Sequence, residues 1–291
     1  MLWRDLPSQP NKMTMHLAVI GDPIAHSKSP LMHNAALVEL GIEGEYVPVH
    51  VSREDLGSAI ARMKELGFRG INVTIPHKVE VMNYIDQIDE SAARIGAVNT
   101  IVNENGILTG YNTDGIGYVR SLKDETRIDL RGKSIMVLGA GGAARGIVYA
   151  LAQEEPKNIV IVNRSEDKAL QMVEEWKSIV NITALAMDQV QSLMPAMDVV
   201  INTTSIGMHP HVSQSVIDPE IIPAGIIVSD LIYNPLTTEL LKKSQERGCI
   251  IHGGLGMFVN QGAYALEYWT GMPAPIESMR TAVLKSLQNE K

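Results

Sequence analysis

The chain has 291 residues, 45% of them apolar, and a net charge of −8. That is enough for one large or two ordinary domains with a substantial core, and it argues against bulk disorder. The acidic balance argues against a general nucleic-acid or anionic-membrane surface, so any bound anion must be held by a local arrangement of donors. A single cysteine, Cys249, leaves no internal disulfide and reads as a small buried side chain. No apolar run approaches the ~18 residues of a membrane helix. The start, "MLWRDLPSQPNKMTMH", lacks the basic-then-apolar pattern of a signal peptide. Residues 1–14 therefore read as a short, mobile extension without an assigned role, and a reducing cytoplasm is the expected compartment.

Strands and helices alternate along the chain, which predicts an α/β protein with parallel sheets. "HLAVIGD" at 16–22 reads as a strand. The helix after it has Ser29 as N-cap, Pro30 in the first turn and Gly41 as stop. "EYVPVHV" is a second strand, followed by a helix from about Arg53 to Leu66. "GINVTI" is a third strand, stopped by Pro76, and His77 and Lys78 come next. Two short strands flank Asn105-Gly106, a hairpin signal. A helix near Gly115–Lys123 leads into a second strand–helix series from about Lys133. Its strands are "SIMVLG", "NIVIVNR", "MDVVINTT", "GIIVSDL" and "GCIIHGG", and helices around 256–270 and 276–289 finish the chain. Two domains sharing a cleft are expected.

"VLGAGGAARG" carries G-x-G-x-x-A at Gly139, Gly141 and Ala144, after an apolar strand and ahead of a helix. Those glycines allow a tight turn and close approach of a pyrophosphate, and the helix N-terminus offers free N–H groups. The pattern predicts a dinucleotide-binding unit. The next strand ends "VNRSEDKA". An Asp or Glu at that end suits the ribose of NAD and would repel a 2′-phosphate. Asn163 and Arg164 stand there instead, with Ser165 and Lys168 as further donors, so NADP is favoured over NAD. Glu166 and Asp167 read as acids in a helix's first turn.

Several polar stretches fall where strands end, the usual ligand edge of an open α/β sheet. Asn72 and Thr74 share one strand face and need partners or a ligand. Ser27 and Ser29 precede a helix, where hydroxyls suit a carboxylate or simply cap. Asn99 and Asp114 could accept from substrate hydroxyls, and N-capping is the other reading of Asp114. Lys78 is a mobile cation at this edge. His77 points away from its neighbour and is read as non-catalytic. His16, His209 and His211 are scattered without metal spacing, "HPH" reads as a loop rather than a surface metal trap, and no metal is expected.

Together "HSKSP", "GINVTIPHK", "IGAVNT", "GYNTDGIG", "GAGGAARG", "NRSEDKA", "INTTSIGM", "SDLIYNP" and "GGLGMFVNQGA" resemble the shikimate dehydrogenase family over nearly the whole chain from about Leu17. The resemblance implies NADP-dependent reduction of 3-dehydroshikimate to shikimate, on the route to aromatic amino acids. It implies a substrate domain at 15–114 plus 253–291 and a Rossmann NADP-binding domain inserted at 115–252. By the same resemblance, Ser27, Ser29 and Tyr233 would hold the substrate carboxylate. Thr74, Asn99, Asp114 and Gln261 would bond the ring hydroxyls. Gly139, Ala140, Gly141, Gly142 and Ala143 would cradle the pyrophosphate. Asn163, Arg164, Ser165 and Lys168 would hold the adenosine phosphate, and Leu231 and Gly254 would line the nicotinamide site. Lys78, with Asp114 beside it, would move the proton, and a protonated lysine suffices as the acid in the reductive direction. The rival readings are a quinate/shikimate dehydrogenase using NAD or NADP, and a dinucleotide-sensing regulator without catalysis. The family includes monomers and homodimers.

Overall fold

The computed structural model describes residues 1–6 and 14–289. The chain forms two compact units, Met1–Thr113 with Gln261–Lys291, and Asp114–Asn260.

The first unit contains β1 (Met15–Gly21), α1 (Ser29–Glu39), β2 (Gly44–His50), α2 (Leu56–Glu65), β3 (Gly70–Val73), β4 (Gln87–Ile88), α3 (Glu90–Ile95), β5 (Thr100–Glu104) and β6 (Ile107–Tyr111). Its sheet runs β2-β1-β3-β5-β6-β4. The β2, β1 and β3 strands are mutually parallel, whereas β5 pairs antiparallel with both β3 and β6. The sheet is mixed rather than parallel because Asn105 (φ 53) and Gly106 (φ 86) both adopt the left-handed conformation, which closes a tight hairpin. One face of the sheet and α2 bury Ala18, Ile20, Val49, Leu56, Ile60, Ile71 and Ile101 in a single cluster.

Two expectations fail here. Helix α1 is not capped by Ser29: Lys28 holds the cap position without a side-chain bond, and Ser29 is already helical. The start of the chain is not a loose extension. Leu2 bridges to His50 on the edge strand β2, the His50 N–H donates to the Met1 carbonyl (2.8 Å), and Arg4 pairs with Asp55 (2.8 Å). Leu6 is 7% exposed within the same apolar cluster. Residues 7–13 of the expected extension lie outside the described residues.

The second unit contains α4 (Asp114–Thr126), β7 (Ser134–Leu138), α5 (Gly142–Ala152), β8 (Asn158–Val162), α6 (Glu166–Trp176), β9 (Ile182–Leu185), α7 (Val190–Leu193), β10 (Val199–Asn202), β11 (Ile227–Asp230), α8 (Glu239–Glu246) and β12 (Ile250–His252). All its strand pairs are parallel, in the order β12-β11-β10-β7-β8-β9. That is the doubly wound Rossmann arrangement, with the order reversing between β7 and β10. The central strands are continuously apolar because both faces are covered. Ile135, Val137, Ile159 and Ile161 pack with Tyr118, Leu122, Ile147 and Trp176 on one face. Met136, Leu138, Val160 and Val162 pack with Val190, Met194 and Leu240 on the other. Helix α9 (Gly254–Thr270) begins in this unit and returns the chain to the first, and α10 (Ile276–Gln288) closes against α1.

Candidate active site

In the first unit a polar edge is assembled by backbone bonds between strands. The Val73 N–H donates to the Asn99 carbonyl, and the Val98 N–H donates to the Lys78 carbonyl, each at 2.8 Å. Thr74, Lys78 and Asn99 are thereby brought to one edge of the sheet. Asn99 is the hub. Its Nδ2 donates to Thr113 Oγ1 (2.9 Å) and reaches Gln261 Oε1 at 3.4 Å. Its Oδ1 accepts from the Thr113 N–H (2.8 Å) and the Thr100 hydroxyl (3.0 Å). Asn99 is 3% exposed, so these bonds fix its rotamer and its reach.

The two polar residues on the third predicted strand have separate fates. Strand β3 ends at Val73, and Asn72 is consumed by structure. Its Oδ1 accepts from the Tyr46 hydroxyl (2.7 Å), and its Nδ2 donates to the Asn99 carbonyl and Thr100 Oγ1. Thr74 is half-buried, and among the described residues its hydroxyl makes no protein hydrogen bond. Ser29 is 8% exposed and bonds the Tyr46 hydroxyl, while Ser27 Oγ accepts from the Ser29 N–H (3.3 Å). His77 is 1% exposed, and its Nε2 lies 2.7 Å from the Val51 carbonyl, to which it must donate. The imidazole anchors the turn that presents the half-buried Lys78.

In the second unit the glycine turn sits where the strand order reverses. Gly139 has φ +113, and a Cβ there would lie 2.5 Å from Thr203 Oγ1, so both backbone and space demand glycine. At Gly141 and Gly142 the reverse holds: a Cβ would meet nothing within 4 Å. No described residue requires those two positions to be small, whereas a ligand lying against the backbone would. Helix α5 starts there without a side-chain cap, leaving its first N–H groups available. Ala140, Gly141, Gly142, Arg145, Lys168 and Gln171 line a cavity of about 250 Å³. These features fit a dinucleotide phosphate. Asn163 braces the turn, accepting from the Ala140 N–H (3.3 Å) and donating to the Ser165 carbonyl (2.9 Å). Arg164, Ser165 and Lys168 are exposed beside it, as is Ala143 on the first turn of α5. Sequence reasoning missed Arg145 and Gln171. Gln171 follows Lys168 at helical spacing on α6, and Arg145 is on α5 just past the glycines, bonded to Glu175 (2.8 Å).

Asp114 is the first residue of α4 and is half-buried. The next residue, Gly115, crosses α5 so closely that a Cβ would lie 2.1 Å from the Gly146 carbonyl oxygen. Gly254 likewise approaches Leu231, whose carbonyl oxygen would be 2.0 Å from an added Cβ. Tyr233 stacks on Phe258 (4.7 Å, 24°). Asp230, just before this loop, is fully buried. Burial pushes its carboxyl up to about 6, partly offset by bonds from the Ile232 N–H, Thr238 and Asn202. Among the described residues no cluster of metal-ligating side chains occurs, and no helix is long and apolar enough to cross a membrane.

A Rossmann unit with an open glycine turn, joined to a second α/β unit carrying a lysine–asparagine–glutamine edge, defines the class of nicotinamide-dependent dehydrogenases with a separate substrate domain. The chain matches the shikimate dehydrogenase substrate binding domain over residues 19–101, the shikimate / quinate 5-dehydrogenase family over 121–219 and the shikimate 5'-dehydrogenase C-terminal domain over 254–284. A shikimate dehydrogenase (NADP(+)) of Bacillus cytotoxicus is 48% identical over 269 residues, 92% of this chain and 97% of that protein. A crystal structure of a shikimate dehydrogenase in complex with NADP+ superposes with a TM-score of 0.88 at 40% identity, covering 97% of this chain and 99% of the other. A shikimate 5-dehydrogenase from Listeria monocytogenes, in complex with shikimate and NAD, also gives 0.88, at 34% identity over 95% and 98%. The chain belongs to the shikimate dehydrogenase family.

Proposed function

We propose that the protein catalyses the reversible, NADP-dependent reduction of 3-dehydroshikimate to shikimate. The observation that carries this reading is the Asn99 hub. It is buried, bonded to Gln261 and tied by backbone to Lys78, in a chain whose second unit offers an open glycine turn. When bound, NADPH supplies a hydride to the substrate carbonyl carbon. The protein's own task is then to put a proton on the carbonyl oxygen and to orient the ring.

Lys78 is the proton donor, and in the reverse direction it takes the proton back. Asp114, Asn99, Gln261 and Thr74 accept from or donate to the ring hydroxyls. Ser27, Ser29 and Tyr233 hold the carboxylate. Ala140, Gly141, Gly142 and Ala143 present backbone to the pyrophosphate. Arg164, Ser165 and Lys168 take the 2′-phosphate, with Asn163 bracing the turn. The guanidinium of Arg164 and the ammonium of Lys168, with Asn163 rather than an acid immediately after β8, favour a phosphate over a bare ribose hydroxyl.

Steady-state kinetics with shikimate and quinate, each with NADP+ and NAD+, test the substrate and cofactor together. The expected result is turnover that is highest with shikimate and NADP+. A chain that turns over quinate with NAD+ as well or better refutes the reading. For Lys78→Ala the expected outcome is a kcat lower by at least ~10²-fold with shikimate still bound. Near-parental kcat would remove the lysine as proton donor.

A further inference from the structure

Four side chains of the second unit, none with a role above, form a continuous buried chain of hydrogen bonds. The Tyr118 hydroxyl donates to Ser229 Oγ at 2.9 Å. Ser229 Oγ lies 2.9 Å from His252 Nδ1, and His252 Nε2 lies 2.7 Å from Ser121 Oγ. None of the four is more than 1% exposed. The Tyr118 ring meets the imidazole edge-on at 5.7 Å and 76°. Because Tyr118 donates into Ser229, the serine's own proton is left for Nδ1. Nε2 then carries the imidazole hydrogen and donates to Ser121, with Glu125 Oε2 at 4.0 Å behind it. With that tautomer every link in the chain has one sense.

Apolar side chains of similar volume would fill this space without the cost of desolvating four polar groups. What a directional chain adds is register, and the elements it joins are telling. Tyr118 and Ser121 are on α4, which begins at Asp114 and is seated on α5 by the Gly115–Gly146 contact. Ser229 and His252 are paired neighbours on β11 and β12. Those strands run directly into Leu231 and Gly254, which touch each other. On the far side, Gly256 leaves room for Ser121 and Glu125: a Cβ there would lie 2.0 Å from Ser121 Oγ and 2.4 Å from Glu125 Oε1.

We propose that His252 is a positioning residue. Through Tyr118, Ser121 and Ser229 it holds the helix that presents Asp114 in fixed register with the strand ends that present Leu231 and Gly254 to the nicotinamide. This rests on the role assigned to Asp114 under the proposed function and on the family resemblance that implies Leu231 and Gly254 line the nicotinamide site. His252 touches neither substrate nor cofactor, and it acts by keeping a substrate-binding carboxylate and a cofactor wall in one rigid frame.

The test is His252→Phe, which keeps a ring and removes both hydrogen bonds, alongside Tyr118→Phe, which removes one hydroxyl and keeps the packing. His252→Gln serves as the conservative variant. Three quantities are read: kcat and KM for shikimate, NADP+ affinity by titration, and the primary isotope effect with 4-deuterated NADPH. A misplacement of a fraction of an ångström is expected to lower kcat by on the order of tenfold. NADP+ affinity should change less than about twofold, since the adenosine end is untouched. The isotope effect should rise as hydride transfer becomes rate-limiting, and His252→Gln should recover part of the loss. A loss of stability alone would lower the folded fraction without changing the isotope effect. Folded His252→Phe and Tyr118→Phe proteins with parental kcat and isotope effect overturn the proposal while leaving the dehydrogenase reading intact. If His252→Phe does not fold, Tyr118→Phe decides by the same criteria. Absence of shikimate turnover in the parent overturns both.

Discussion

His33 gives the sharpest physical test of the first unit. It lies on α1, fully buried, stacked on Tyr46 (4.3 Å, 11°) and tilted against Trp269 (5.3 Å, 50°). A Cβ on Gly262 would come within 3.3 Å of its Nε2. Among the described residues neither ring nitrogen has a hydrogen-bond partner of good geometry, and the nearby Asn72 amide is already engaged by the Tyr46 hydroxyl. Burial lowers the imidazole from 6.5 to about 3, with Asn72 offsetting only part. A depressed histidine is neutral when folded and takes a proton when unfolded. Stability is therefore complete above pH ~6.5 and is lost as pH falls from there toward the folded value. At ~1.4 kcal/mol per unit, a fall to pH 5 costs about 2 kcal/mol. The perturbation is His33→Phe, compared with the parent by urea unfolding at pH 7.5 and 5.0. The larger ring carries its own packing cost against Gly262, but that cost is the same at both pH values and cancels in the double difference. The parent should lose about 2 kcal/mol more than the variant between the two conditions. Equal losses would show that the imidazole is solvated or paired, and the linkage argument would fail.

Four further outcomes follow from the geometry. Gly139→Ala forces a β-carbon into Thr203 at a left-handed residue and should destabilise the second unit by at least ~2 kcal/mol in thermal or urea unfolding. Gly141→Ala meets nothing in the protein, so its melting temperature should be unchanged while NADPH affinity falls severalfold; parental affinity would remove that position from the phosphate cradle. Leu6→Ala should lower stability by about 2 kcal/mol through lost burial, whereas Arg4→Ala should cost under ~1 kcal/mol because its ion pair is exposed. Parental unfolding of Leu6→Ala would mean that the amino-terminal segment contributes no packing energy.

Most of the architecture was legible before folding was considered, because its signals are local. Apolar strand cores, the Asn105-Gly106 turn and the glycines ahead of α5 each act within a few residues. The helix boundaries that went astray did so for an equally local reason. At Ser29 the competing serine two positions earlier and Lys28 set the first turn, so the expected cap became a helical residue. The short strands β4 and β9 escaped notice because too few residues are available for a period to register.

Residue chemistry along the chain was sufficient to single out Lys78, Asn99, Asp114, the glycine turn and the end of β8 as candidates. Folding alone separated Asn72, spent on Tyr46 and Thr100, from Thr74, whose hydroxyl makes no hydrogen bond among the described residues. Folding also drew Gln261 to Asn99, seated His77 on Val51 and closed the Tyr118–Ser229–His252–Ser121 chain. The physical reason is range. Propensity and patterning are properties of neighbours in sequence, whereas a hydrogen bond between side chains more than a hundred positions apart exists only once both backbones have been placed.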